Sequence, residues 1–284
     1  MYPVLFHIGA FVIPSYGALA ALGVLAALTV ALHTSRKLGL DPNKVWNLCV
    51  VVLFTSLAGS RLLLVIANRS LLRHHPLWIL SLAMVHHPLL AAIGTLLALV
   101  VAVLYATWQR LPFYSTADAL AAPLAFGLAL EQFGALLSGA GYGTGTHVPW
   151  AVTYTHPLAA RWSDAPLGIP VHPVQAYVGI CFLFIALLLL FLLPRRRQNG
   201  DLAGIFLVAA GVILFVTEFW RDPIGRGAVF GGFLKAPQAV GIIAVLVGSL
   251  LLLERKSGRI SAPQPTSTVE AQHAPPDVQG PSHA

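Results

Sequence analysis

The residues able to carry polar chemistry fall in five short clusters along a largely apolar sequence. Ser15-Tyr16-Gly17 reads either as an interfacial tyrosine of the kind that lines membrane surfaces or as part of a site. Gly59-Ser60-Arg61 places a guanidinium inside an apolar run. It reads either as an arginine snorkelling outward or as one aimed into the protein, which its small neighbours favour by allowing close backbone approach. Glu131-Gln132 stands inside another run, where an unpaired carboxylate becomes protonated or finds a cation. Arg61 or Arg221 could supply that cation. His172, Gln175 and Tyr177 stand where a further run begins, with His172 and Gln175 three apart on one helical face, so that both could hydrogen-bond a polar head group. Thr217-Glu218-Phe219-Trp220-Arg221-Asp222 leads to Arg226-Gly227 and then to Lys235-Ala236-Pro237-Gln238. Glu218 and Arg221 could pair with each other, and the basic excess matches a lipid phosphate, which arginine grips bidentately.

These clusters matter because of what surrounds them. Of 284 residues, 57% are apolar and 10% charged, with mean hydropathy +0.79. Soluble domains carry about a quarter charged residues, so a water-soluble globule is excluded. Apolar stretches of about 20 residues predict helices near 13–33, 45–67, 87–108, 116–137, 174–193, 203–220 and 236–253, and 77–85 before His86-His87 reads as a separate interfacial or re-entrant piece. The expected fold is an all-α integral membrane protein: a polytopic bundle of about seven transmembrane helices with a periplasmic loop region and a disordered C-terminal tail.

Basic residues orient such a bundle. One set of loops holds ten (Arg36, Lys37, Lys44, Arg110, Arg195, Arg196, Arg197, Arg255, Lys256, Arg259), and the other holds six (Arg69, Arg73, Arg161, Arg221, Arg226, Lys235). The expected topology has the N-terminus outside and the C-terminus in the cytoplasm. The domain lies within 1–259; residues 260–284, polar and proline-rich, cannot bury enough apolar area to offset their ordering entropy. The formal charge of +7 and pI near 9.8 are spread along the chain, which argues against a nucleic-acid partner. Cys49 and Cys181 lie singly in apolar runs and suggest neither a metal site nor a disulfide. The first apolar stretch has no preceding Lys or Arg, so no cleavable signal peptide is expected. The glycines at 139, 141, 143 and 145 follow a membrane helix rather than a strand, so a dinucleotide loop is excluded.

In order, Tyr16-Gly17, Gly59-Ser60-Arg61-Leu62, Asp118 through Pro123, Tyr142-Gly143, Pro149-Trp150-Ala151-Val152, His172-Pro173-Val174-Gln175-Ala176-Tyr177, Glu218-Phe219-Trp220-Arg221 and Gln238 resemble the motifs of the prolipoprotein diacylglyceryl transferase family. The resemblance spans about Tyr16 to Gln238. It implies a membrane enzyme that moves a diacylglyceryl group from phosphatidylglycerol to the lipobox cysteine thiol of a lipoprotein precursor and releases glycerol phosphate, with no cofactor and no metal. Its partners would be phosphatidylglycerol and lipoprotein precursors.

The resemblance implies that Arg61, Gln132, Tyr142, Gly143, Gln175, Glu218, Arg221, Arg226 and Gln238 hold the lipid and its phosphate. His172, Glu131 and Tyr16 are the candidates for catalysis, with His86 a further possible base. Several family positions differ: Gln132 and Ala135 replace an arginine and an asparagine, Ala140 an acidic residue, Ile93 a histidine and Leu214 an arginine. Two readings follow, a divergent enzyme or a catalytically silent relative that binds phospholipid or lipoprotein signal helices.

Overall fold

The computed structural model describes residues 2–8, 11–67, 88–222, 228–229 and 233–253. The Arg61 side chain, His86, His87, Arg226, the 77–85 segment and the 260–284 tail lie outside the described residues. A hairpin of β1 (Val4–Ile8) and β2 (Phe11–Pro14) leads directly into α1 (Ser15–Lys37). Then come α2 (Pro42–Ala67), α3 (Pro88–Trp108) and α4 (Phe113–Ser138). A loop region follows, with β3 (Val152–Thr153) paired to β4 (Pro170–Val171) around the short α5 (Pro157–Ser163). The chain continues as α6 (Val174–Leu192), α7 (Asp201–Thr217), the small pair β5 (Ala228–Val229) and β6 (Leu234–Lys235), and α8 (Ala236–Leu253).

Each expected span coincides with a long helix to within a few residues. By length and hydropathy over the described residues, however, five rather than seven are able to cross a membrane: α1, α4, α6, α7 and α8. In α3 the described apolar stretch is Ile93–Trp108, and the second half of α2 lies partly outside the residues whose side chains are described.

α4 is the central element, packed on α1 and α6, while α7 pairs with α8 and α2 with α3. Lipid is as apolar as leucine, so packing depends on close fit and on polar contacts rather than on hydrophobic burial alone. Between α4 and α6 the small side chains Ala121, Ala122, Ala125 and Ala129 receive Val174, Val178 and Phe182. Between α7 and α8 the backbones themselves touch. A Cβ on Gly211 would stand 2.5 Å from the Gly241 carbonyl oxygen, and one on Gly248 would stand 2.8 Å from that of Gly204. Both pairs repeat after seven residues, which is about two turns, so the contact follows one stripe.

Two polar contacts lock α4. Pro123 lies inside the helix and has no N–H to offer the carbonyl one turn back. That carbonyl, Ala119, accepts instead from the Thr34 hydroxyl of α1 at 2.6 Å. Near the start of α4 the fully buried Asp118 carboxylate accepts from the Gly200 N–H (2.6 Å) and the Ala203 N–H (3.0 Å) and pairs with Arg196 (3.2 Å). Asp118 therefore caps the N-terminus of α7 from another helix, where a negative charge meets unpaired N–H groups and the positive end of the helix dipole.

Candidate head-group site

The site is assembled at the end of α4 opposite Asp118. Gly139 stops the helix at φ +87, a left-handed conformation that suits glycine. The strand-like segment beyond it lies between two other pieces of chain. The Gly143 N–H donates to the His172 carbonyl (3.2 Å) and the His172 N–H to the Thr144 carbonyl (3.0 Å). On the other side the Thr144 N–H donates to the Trp220 carbonyl (2.8 Å) and the Asp222 N–H to the Tyr142 carbonyl (3.3 Å). Gly143 is thus flanked by His172 and Arg221. A Cβ there would lie 2.5 Å from the His172 carbonyl oxygen and 2.8 Å from that of Trp220, so only glycine fits. Tyr142, beside it, has its phenol pKa raised by burial and by the Asp222 and Asp164 carboxylates.

His172 and Gln175 take different protein partners. His172 precedes α6, and its Nδ1 lies 3.3 Å from the Tyr177 hydroxyl, which also accepts from the Trp150 indole N–H at 2.7 Å. A phenol oxygen has two lone pairs, so it can accept from Nδ1–H as well as from the indole, and in that tautomer the Nε2 lone pair of a neutral ring stays open to a proton. Gln175 is fully buried and donates to the Ala140 carbonyl at 2.8 Å, tying α6 to the end of α4. Tyr154 anchors the loop region from below: its hydroxyl donates to the Leu136 carbonyl at 3.1 Å. Burial pushes its pKa up to about 12, with Gln175 acting in the opposite direction. Trp150 belongs to one of the sequence motifs, and Tyr154 to none of them. Their position as aromatics in a polar loop was the available signal.

Glu131 also differs from expectation. Its carboxylate accepts from the Tyr16 hydroxyl at 2.9 Å and from the side-chain amide of Gln132, and it forms no ion pair among the described residues. Arg221, one of its two anticipated partners, stands instead 4.0 Å from Glu218, three residues away. Gly134 makes the Tyr16 contact possible, since a Cβ there would press on the Tyr16 backbone at 3.2 Å and on Leu19 at 3.0 Å.

The fifth cluster is held by Lys235. Its ammonium donates to the carbonyls of Glu218 (3.0 Å) and Arg221 (3.3 Å), fixing the turn Glu218–Trp220 that extends α7. Gln238 accepts from the Lys235 N–H at 3.1 Å, as a side chain in the first turn of a helix does when it reaches back to cap the start. Its oxygen thereby caps the start of α8.

Helices able to span a membrane, joined at one end by a folded loop layer bearing histidine, arginine and a buried carboxylate, define a polytopic membrane protein with a polar site at the edge of its bundle. A family model described as prolipoprotein diacylglyceryl transferase matches residues 3–254, and the chain belongs to that family. It is 28% identical over 265 residues to the phosphatidylglycerol–prolipoprotein diacylglyceryl transferase of Photobacterium profundum, covering 88% of this chain and 92% of the relative. It is 26% identical over 249 residues to the protein of that name from Clostridium tetani, covering 87% and 95%. With the Vibrio cholerae protein the identity is 28% over 262 residues, covering 88% and 90%.

Proposed function

We propose that this chain transfers a diacylglyceryl group from phosphatidylglycerol to the cysteine thiol of a lipoprotein precursor. The observation that carries the proposal is the placement of His172 and Arg221 on either side of Gly143. Strand spacing puts their backbones about 10 Å apart, so a base and a phosphate-binding cation flank one strip of backbone. In the proposed step the thiol gives its proton to His172 and the sulfur attacks the glycerol carbon that carries the phosphate. The S–C bond forms as the C–O bond breaks, and glycerol phosphate leaves with the electron pair. A free thiol titrates near ~8.5, so proton removal by a base is needed at neutral pH. Arg221, supported by Glu218 and joined by Arg226 and Arg61, holds the charge that develops on the leaving phosphate. Tyr16, Glu131, Gln132, Tyr142, Gly143, Gln175 and Gln238 shape and line the site.

The protein is placed in the bacterial cytoplasmic membrane, with the site and N-terminus outside and Arg195-Arg196-Arg197 at the inner surface, as the basic-residue bias implies. Residues 1–259 form the membrane domain and 260–284 a cytoplasmic tail. One observation favours a second reading, a relative that binds lipid or signal helices without turnover. Glu131 and Gln132 bring no cation to the position where the family resemblance places an arginine.

The two readings separate in bacteria depleted of their own transferase. Expression of this chain should restore diacylglyceryl modification of lipoprotein precursors. Normal membrane levels of the protein with unmodified precursors would support the silent reading.

A further inference from the structure

We infer that Glu131 and Gln132 form an acceptor pair for the hydrogen-bond-donating end of a phospholipid head group, a hydroxyl or an ammonium. This rests on the proposed reading that a phospholipid head group enters the site. The two residues sit eight and seven positions before Gly139, about 10–12 Å along α4 from it. The Glu131 carboxylate receives only neutral donors, Tyr16 and Gln132, among the described residues. The Gln132 amide spends an N–H on Glu131, and its own oxygen is buried without a partner among the described residues.

A buried acceptor left unpaired costs about 1–3 kcal/mol, and a half-buried carboxylate is favoured in its charged form by any donor brought to it. A phosphate is the poorer fit here, because the pair presents carboxylate and amide oxygens, which accept. A head-group hydroxyl or ammonium supplies the missing donors, while the phosphate of the same lipid is left for Arg221. Gly179 of α6 comes close to Gln132 here, since a Cβ on it would lie 3.4 Å from the Gln132 Cβ, so α6 closes this side with little side-chain bulk.

The test uses the full-length chain in nanodiscs and compares binding of phosphatidylglycerol, phosphatidylethanolamine and phosphatidylmethanol by native mass spectrometry. The first offers hydroxyls, the second an ammonium, and the third the same phosphate with neither. The wild type should prefer at least one donor-bearing lipid over phosphatidylmethanol by about tenfold, the worth of one charge-assisted hydrogen bond, and the better of the two identifies the donor. Glu131→Ala should bring that ratio near one. Gln132→Leu, which keeps Glu131, should narrow the ratio and serves if Glu131→Ala fails to fold. Equal binding of all three lipids by the wild type, or a preference that survives both substitutions, overturns the inference. Diacylglyceryl transfer measured on the wild type reports separately on the enzymatic reading.

Discussion

Tyr16 in the first turn of α1 donates a 2.9 Å hydrogen bond to Glu131 well inside α4, so two helices far apart in sequence share one half-buried carboxylate. Removing the donor leaves that oxygen with less compensation. Tyr16→Phe should lower stability by about 1–2 kcal/mol, read as a drop in unfolding temperature in detergent. Added to Glu131→Gln, the same substitution should cost visibly less, because contacting residues are not additive. Equal losses in both backgrounds would show that the two side chains are not coupled.

Gly143 and Gly145 provide a matched pair. A Cβ at Gly143 meets two carbonyl oxygens within 2.8 Å, whereas at Gly145 the nearest described atom is the Pro170 carbonyl oxygen at 3.9 Å. Gly143→Ala should separate His172 from Arg221 and cut lipidation of a precursor in cells by tenfold or more, on the order of the loss that small misplacements of reacting groups cause. Gly145→Ala should be tolerated. Comparable activity in the two variants would contradict the packing described for this strand.

Asp118 is expected to matter for stability rather than for turnover. Asp118→Asn leaves Arg196 without its counter-charge and weakens the cap on α7. Breaking a buried pair costs about 3–5 kcal/mol, and the partial exposure of Arg196 argues for the lower end of that range. Reduced unfolding temperature with normal activity per folded molecule is the expected outcome, measured by thermal unfolding beside a transfer assay.

The Tyr154 pKa gives a pH signature. Its folded value is raised to about 12 from the ordinary 10, so the folded state prefers the neutral phenol. The contribution is fully present below pH ~10, where the unfolded chain is also protonated, and is lost as pH rises from ~10 to ~12, by on the order of 2–3 kcal/mol. Unfolding temperature should therefore fall more steeply over that window in the wild type than in Tyr154→Phe. Parallel profiles would remove Tyr154 from the alkaline transition.

The helices were legible in the sequence because a bilayer imposes apolar runs of about 20 residues, and α1, α4, α6, α7 and α8 follow them closely. The site was legible as a set of residues but not as a set of contacts. Spacing suggested that His172 and Gln175 act together, yet Pro173 keeps His172 outside α6, and the two side chains take Tyr177 and Ala140 as partners. Charge suggested that Arg221 reaches Glu131, yet the neighbouring Glu218 holds it. Asp118 looked like part of a motif and proved to be the cap of a helix more than eighty residues later. None of these choices has a sequence period, because each is made by segments that meet only after the helices pack.

The most direct measurement is reconstituted transfer: purified chain, phosphatidylglycerol and a lipobox peptide, with the thioether product followed by mass spectrometry. The expected result is a peptide heavier by one diacylglyceryl group, formed by the wild type and reduced by at least about a hundredfold in Arg221→Ala and His172→Ala, the scale of a lost charge stabiliser or general base. A folded wild-type protein that binds phosphatidylglycerol yet leaves the peptide unmodified would contradict the assignment of catalysis to this site.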